Sequence, residues 1–115
     1  MNTPLRIALD EAFFHARTAL SEKVPSEAFP WLERAHILSQ HMPLLHARSH
    51  WLMLRAGWQL RDYREMLGQV PRIVAAMLFS KIWVPLGNNG RARVNAFAPM
   101  PISQELQRLL QGETR

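Results

Sequence analysis

A chain of 115 residues with a formal net charge of +5 and no cysteine has the length of one domain. Lack of cysteine excludes disulfides, thiolate zinc sites and a cysteine nucleophile. The longest apolar run, IVAAMLF (73–79), falls far short of the ~20 residues of a membrane span, and the arginines are scattered rather than interleaved with aromatics along a strip. Neither a membrane span nor a nucleic-acid partner is therefore expected. The start, MNTPLRIALDEAFF, has no basic stretch leading into an apolar one, so no signal peptide is expected and the cytoplasm is the expected compartment.

The first helix is predicted over 4–23, with Thr3 as N-cap and Pro4 at the first helical position, where its missing N–H costs nothing. Leu5, Leu9, Ala12, Phe13, Ala16, Ala19 and Leu20 share one face at about 100° per residue. The second helix is predicted over 26–40, with Pro30 restricting its first turns and Ala28, Trp31, Leu32, Ala35 and Leu38 on its apolar face. Pro43 ends the connection and opens a third helix over 44–60. Asp62, followed three residues later by Glu65, marks a capping box for a fourth helix, which Pro71 is expected to kink or split. The segment RIVAAMLFSKIW (72–83) is apolar on nearly all sides, so it is either deeply buried or covers a partner. Residues 84–102, with three prolines and two glycines, form a long connection expected to wrap back over the helices. Ser103 then caps a short helix over 103–111, and the tail GETR (112–115) should fray.

The expected fold is all-α, a single helical domain over 1–115 built from antiparallel hairpins. SEAFPWLERAHIL (26–38) and GWQLRDYREMLGQV (57–70) resemble parts of tetratricopeptide-type hairpins, although Met66 stands where a small residue is usual and at least three repeats make a free-standing solenoid.

Four of the five histidines, His36, His41, His46 and His50, fall within residues 36–51. On the third helix, Arg48, Arg55 and Gln59 mark the solvated face, and His46, His50, Met53 and Gly57 lie opposite. His46 and His50 are four apart, with Cβ atoms roughly 5–6 Å from each other, so two imidazoles can share one ion. A turn centred between His41 and Met42 brings His36 level with His46 and Glu33 level with His50. Glu33, His36, His46 and His50 therefore make a candidate metal site, with donors suited to zinc, nickel, cobalt or iron. His41 lies in the turn, free or joining. The same pattern also fits a structural cluster of buried neutral imidazoles bonded to carbonyls or to Glu33. No nucleophile or oxyanion-hole pattern accompanies it, so no enzyme activity is expected.

GNNG (87–90) reads as a turn; an anion cradle helped by Arg91 and Arg93 is the alternative, without Walker-type spacing. The four tryptophans are expected mostly in helix packing, and the six methionines form no cluster of the kind that holds copper.

The blocks LERAHILSQ (32–40), HWLMLRAGW (50–58), VPLGNNG (84–90) and NAFAPMPI (95–102) together resemble a family of short bacterial proteins catalogued as a domain of unknown function. In that family the loop often reads Gly-Asn-Thr-Gly-Gly; here Asn89 replaces the threonine and Arg91 the last glycine. The resemblance names no substrate and implies an association with metal resistance and efflux. The leading functional expectation is a non-catalytic module that binds a protein or peptide, or a second copy of the chain through segment 73–83. The alternative is a metal-binding accessory protein.

Overall fold

The computed structural model describes residues 2–112; positions 113–115, where fraying is expected, lie outside them. Among the described residues the fold is all-helical: α1 (Thr3–Ser21), α2 (Pro25–Ser39), α3 (Pro43–Leu60), α4 (Tyr63–Phe79) and α5 (Gln104–Gln111). No helix is long and apolar enough to cross a membrane.

Local chemistry sets the helix ends. α1 is capped by Asn2, whose side chain accepts from the Leu5 N–H at 2.8 Å, so the cap lies one residue before the predicted Thr3. α2 opens on Pro25 and α3 on Pro43, each at a first-turn position that needs no N–H donor. Pro30 and Pro71 both sit inside helices, and neither ends one. Each removes the N–H that would bond the carbonyl four residues back. Those carbonyls belong to Ser26 and Leu67, which are exposed, so water can replace the lost donor. The expected split of α4 at Pro71 therefore does not occur. Asp62 caps α4 through the Glu65 N–H at 3.2 Å, but the return half of the capping box is missing because the Glu65 carboxylate turns inward.

Successive helices pack as pairs, α1 on α2, α2 on α3 and α3 on α4, with α5 docked across α1 and α2. The hydrophobic core lies among the first three helices. Leu9, Ala12, Phe13, Ala16 and Leu20 meet Ala28, Leu32, Ala35 and Leu38, with Leu52, Met53 and Ala56 closing the cluster. Fully burying a leucine contributes roughly 1.5–3 kcal/mol, so this cluster is the main source of stability. Leu106 adds α5 to it, and an Arg34–Glu105 pair with bonds of 2.7 and 3.0 Å clips the outside.

α4 is different. Its buried residues are Glu65, Gln69 and Ala76. The helix packs closely on α3 where Gly57 lacks a side chain, since a Cβ there would lie 3.0 Å from the Met66 nitrogen. Its outer face carries exposed Leu67, Val70, Val74, Met77 and Leu78. Apart from Ala76 and Ser80, most of segment 72–83 is thus exposed or half-buried rather than deeply buried.

Residues 81–103 run without a helix back over α2 and α4. The Gln40 side chain holds this strap from α2, accepting from the Gly87 N–H at 2.8 Å and donating to the Pro85 carbonyl at 3.0 Å. Arg72 holds it from α4 through the Val94 carbonyl at 2.9 Å.

Candidate metal centre

α2 and α3 are joined by residues 40–42 only, so they run antiparallel and the end of one faces the start of the other. This places His36 of α2 opposite His46 of α3. Their Nε2 atoms are 2.9 Å apart, and His50 Nε2 is 3.2 Å from His46 Nε2. Nitrogens of the three rings all lie within 4.8 Å of one another. All three side chains are buried.

The other ring nitrogens decide what this cluster can hold. His36 Nδ1 lies 2.7 Å from the Asn88 carbonyl, which can only accept. His46 Nδ1 lies 2.8 Å from Ser80 Oγ, and the Ser80 hydroxyl donates its one proton to the Ala76 carbonyl. Ser80 Oγ must therefore accept from His46. His50 Nδ1 lies 2.6 Å from Gln69 Oε1. The orientation of that amide is set by its nitrogen, which donates to Glu65 Oε2 at 2.5 Å and to the Gly90 carbonyl at 3.0 Å. Each Nδ1 is thus a donor. In a neutral imidazole the remaining nitrogen carries a lone pair and no proton.

Three Nε2 lone pairs consequently point into one small volume with no proton to share. Burial holds the rings neutral. It lowers the pKa of His36 well below the usual value, with further lowering from His50 and His46 against a raising effect of the Asn88 carbonyl. Burial lowers His46 to about 4 and, with the nearby His46 ring, lowers His50 to about 3. Lone pairs at such spacing repel one another unless a cation lies between them. At ~2.0–2.1 Å from each nitrogen, a metal ion places its ligand nitrogens about 2.9 Å apart at right angles and about 3.3 Å apart in a tetrahedron. The His36–His46 and His46–His50 spacings of 2.9 and 3.2 Å belong to that range, and the third pair lies within 4.8 Å.

Beyond the histidines, the orienting shell runs through several elements. Glu65 is fully buried, accepts from Arg91 Nε at 2.6 Å and from the Ala92 N–H at 3.0 Å, and anchors Gln69. Gly90 carries no side chain where the strap crosses His36: at φ +84° a Cβ would stand 2.7 Å from His36 Cδ2. The GNNG turn is therefore built into the site. Asn88 supplies the carbonyl on His36, and its own side chain ties the turn to the Asn95 and Ala98 carbonyls, each at 2.8 Å.

Of the four candidate ligands read from the sequence, the fold brings together His36, His46 and His50. Glu33 stands apart, with its carboxylate on Arg91 Nη1 at 3.1 Å. The helix register levels it with His50, but Arg91 descends from the strap and claims it. His41 also stays outside the cluster and meets the Ser80 carbonyl at 3.3 Å. The anion-cradle alternative for GNNG loses its cations, since Arg91 pairs with Glu33 and Glu65 and Arg93 pairs with Asp62 at 2.6 Å. Sequence reasoning misses Gln69, Ser80 and Glu65 as orienting residues. The available signal is polar side chains at positions 65, 69 and 80, on the one side of α4 and its end that turns toward α3.

The family described as "Protein of unknown function (DUF3703)" matches residues 3–110. The chain belongs to this family. No curated protein and no solved structure matches it. The DUF3703 match spans all five helices and the strap, so it includes the three histidines and the residues that orient them.

Proposed function

We propose that this DUF3703 protein binds one divalent transition metal through His36, His46 and His50, and that it is a non-catalytic metal-binding protein. The observation that carries this reading is the fixed tautomer of all three rings. Each Nδ1–H is donated to a buried acceptor, so three lone pairs converge. A structural cluster of imidazoles would instead place a donor against an acceptor. An all-imidazole donor set suits zinc, nickel, cobalt or iron, and outer acceptors on Nδ1 are the usual support of a histidine ligand. The association with metal resistance implied by the family resemblance points the same way. Calorimetric titration of chelator-stripped protein with zinc, nickel and cobalt should give one site per chain, and His46→Ala should abolish it. Absence of binding by every ion, or equal binding by His46→Ala, overturns the reading.

A second reading rests on the outer face of α4. Leu67, Val70, Val74, Met77 and Leu78 repeat at helical spacing and are exposed, with Leu67 and Leu78 each at 63%. Such a stripe supports docking of a protein partner, with a second copy of the chain as the first candidate. Light scattering after size exclusion should report a mass above 13.3 kDa that returns to it in Leu78→Glu. A monomer at all concentrations removes self-association.

A further inference from the structure

All three ligands of the metal site come from α2 and α3, and three ligands leave a position of a four-coordinate ion unfilled. Beside them lies an open cleft of about 550 Å³ whose wall includes the three histidines. Its lining is largely apolar, with Pro71, Ala75, Phe79, Ile82, Trp83 and Phe97 around the mouth. Cavities of this size and character hold small organic molecules.

Arg72 is the one arginine in that lining, and no aspartate or glutamate lines the cavity. Among the described residues no carboxylate lies within ion-pair distance of Arg72. Its guanidinium is held by the Gly68 carbonyl at 2.8 Å and the Val94 carbonyl at 2.9 Å. Those two bonds occupy one N–H on each terminal nitrogen and leave other donors of the fork over. Its charge reaches the site, since it contributes to lowering both His36 and His50. The nearest buried carboxylate, Glu65, is already matched by Arg91.

The charges do not balance within the chain. Three neutral imidazoles, a divalent ion and an arginine place net positive charge against an apolar wall, with no counter-anion in the lining. Uncompensated charge beside an apolar wall partly shielded from water is costly. Inorganic anions would supply the charge but leave most of the apolar wall facing water.

We propose that the cavity binds a small carboxylic acid with an apolar body, its carboxylate lying between the open side of the metal and Arg72 and its body against Phe79, Trp83 and Phe97. This rests on the metal reading above. The ligand completes the coordination sphere with oxygen, and the protein selects it by the match of one anionic end to one apolar end.

The test uses the full chain loaded with cobalt, whose visible spectrum reports coordination. Titration with 4-phenylbutyrate should change that spectrum at a concentration about tenfold or more below that needed with acetate, because only the former fills the apolar wall. 4-Phenylbutanol, which lacks the charge, should leave the spectrum unchanged. In protein saturated with cobalt, Arg72→Gln should raise the half-saturating 4-phenylbutyrate concentration about tenfold or more. Ala75→Trp, which fills the cavity without touching the charges, should block 4-phenylbutyrate and spare acetate, and it serves if Arg72→Gln does not fold. Equal potency of acetate and 4-phenylbutyrate, or indifference to both substitutions, overturns the proposal with the metal site intact. Failure to bind cobalt, zinc and nickel alike overturns the metal reading, and this proposal with it; if zinc or nickel binds and cobalt does not, the same titrations are followed by calorimetry on the loaded protein.

Discussion

His36 and His46 face each other across the α2–α3 turn with Nε2 atoms 2.9 Å apart and no proton between them. Each ring has spent its one N–H on the other side, His36 on the Asn88 carbonyl and His46 on Ser80. A pair of neutral imidazoles in van der Waals contact normally settles this repulsion by rotating one ring or changing a tautomer. Here the acceptors on Nδ1 prevent both, and the arrangement favours a shared cation.

That arrangement makes the metal-free protein sensitive to acid. The unfolded chain protonates its histidines near 6.5, whereas His46 and His50 in the fold are lowered to about 4 and about 3. The unfolded state therefore binds more protons below pH 6.5, and stability must fall as pH falls through that window. The contribution is fully present above pH 6.5, is lost progressively toward about 4 for His46 and about 3 for His50, and does not change further below. The slope reaches about 1.4 kcal/mol per pH unit for each histidine that stays neutral. Urea melts of chelator-stripped protein between pH 7.5 and 4.5 should show this decline, and His50→Gln should flatten it.

Gln69 sets the His50 tautomer, so its removal should act on metal binding. Gln69→Leu deprives His50 Nδ1 of its acceptor and takes one donor from buried Glu65. Metal affinity is expected to drop about 10–100-fold. Stability without metal is expected to drop by about 1–3 kcal/mol, the cost of leaving the buried His50 Nδ1–H and the Gly90 carbonyl without their partner, while the Glu65 oxygen keeps the Ala92 N–H. Isothermal titration and thermal melting separate the two effects.

Gly90→Ala tests whether the strap belongs to the site. The new Cβ would stand 2.7 Å from His36 Cδ2 in a left-handed backbone at φ +84°. The backbone term costs about 1–2 kcal/mol, and either the strap or the His36 ring must shift from its present place. Zinc affinity should fall by more than the thermal shift accounts for. Normal affinity in this variant would show that the strap is only a cover.

Glu33 and Glu65 should separate cleanly. Glu33→Gln is expected to leave metal affinity unchanged and to cost less than about 1 kcal/mol, because its pair with Arg91 is part exposed. Glu65→Leu leaves Arg91 without its buried partner and strands Gln69 and the Ala92 N–H, for about 3 kcal/mol or more. Loss of one metal ligand's worth of affinity in Glu33→Gln would return Glu33 to the coordination sphere.

Much of the frame is legible in the amino-acid sequence. Helical periodicity, prolines at helix starts and the cap at Asp62 mark the helices, because these are interactions within a few residues of chain. The pairing of His36, His46 and His50 is equally legible, since a tight turn and a four-residue spacing on one helix fix that geometry locally. The long-range partners are not. Arg91 reaches Glu33 across 58 residues, Asn88 reaches His36 across 52 and Ser80 reaches His46 across 34. No local pattern encodes such contacts; they depend on where the strap lies once α4 has packed on α3. The chain's periodicity and its tight turn thus determine that His46 and His50 share one face of α3 with His36 opposite them on α2, and only the packed strap and α4 turn each ring so that its lone pair points inward.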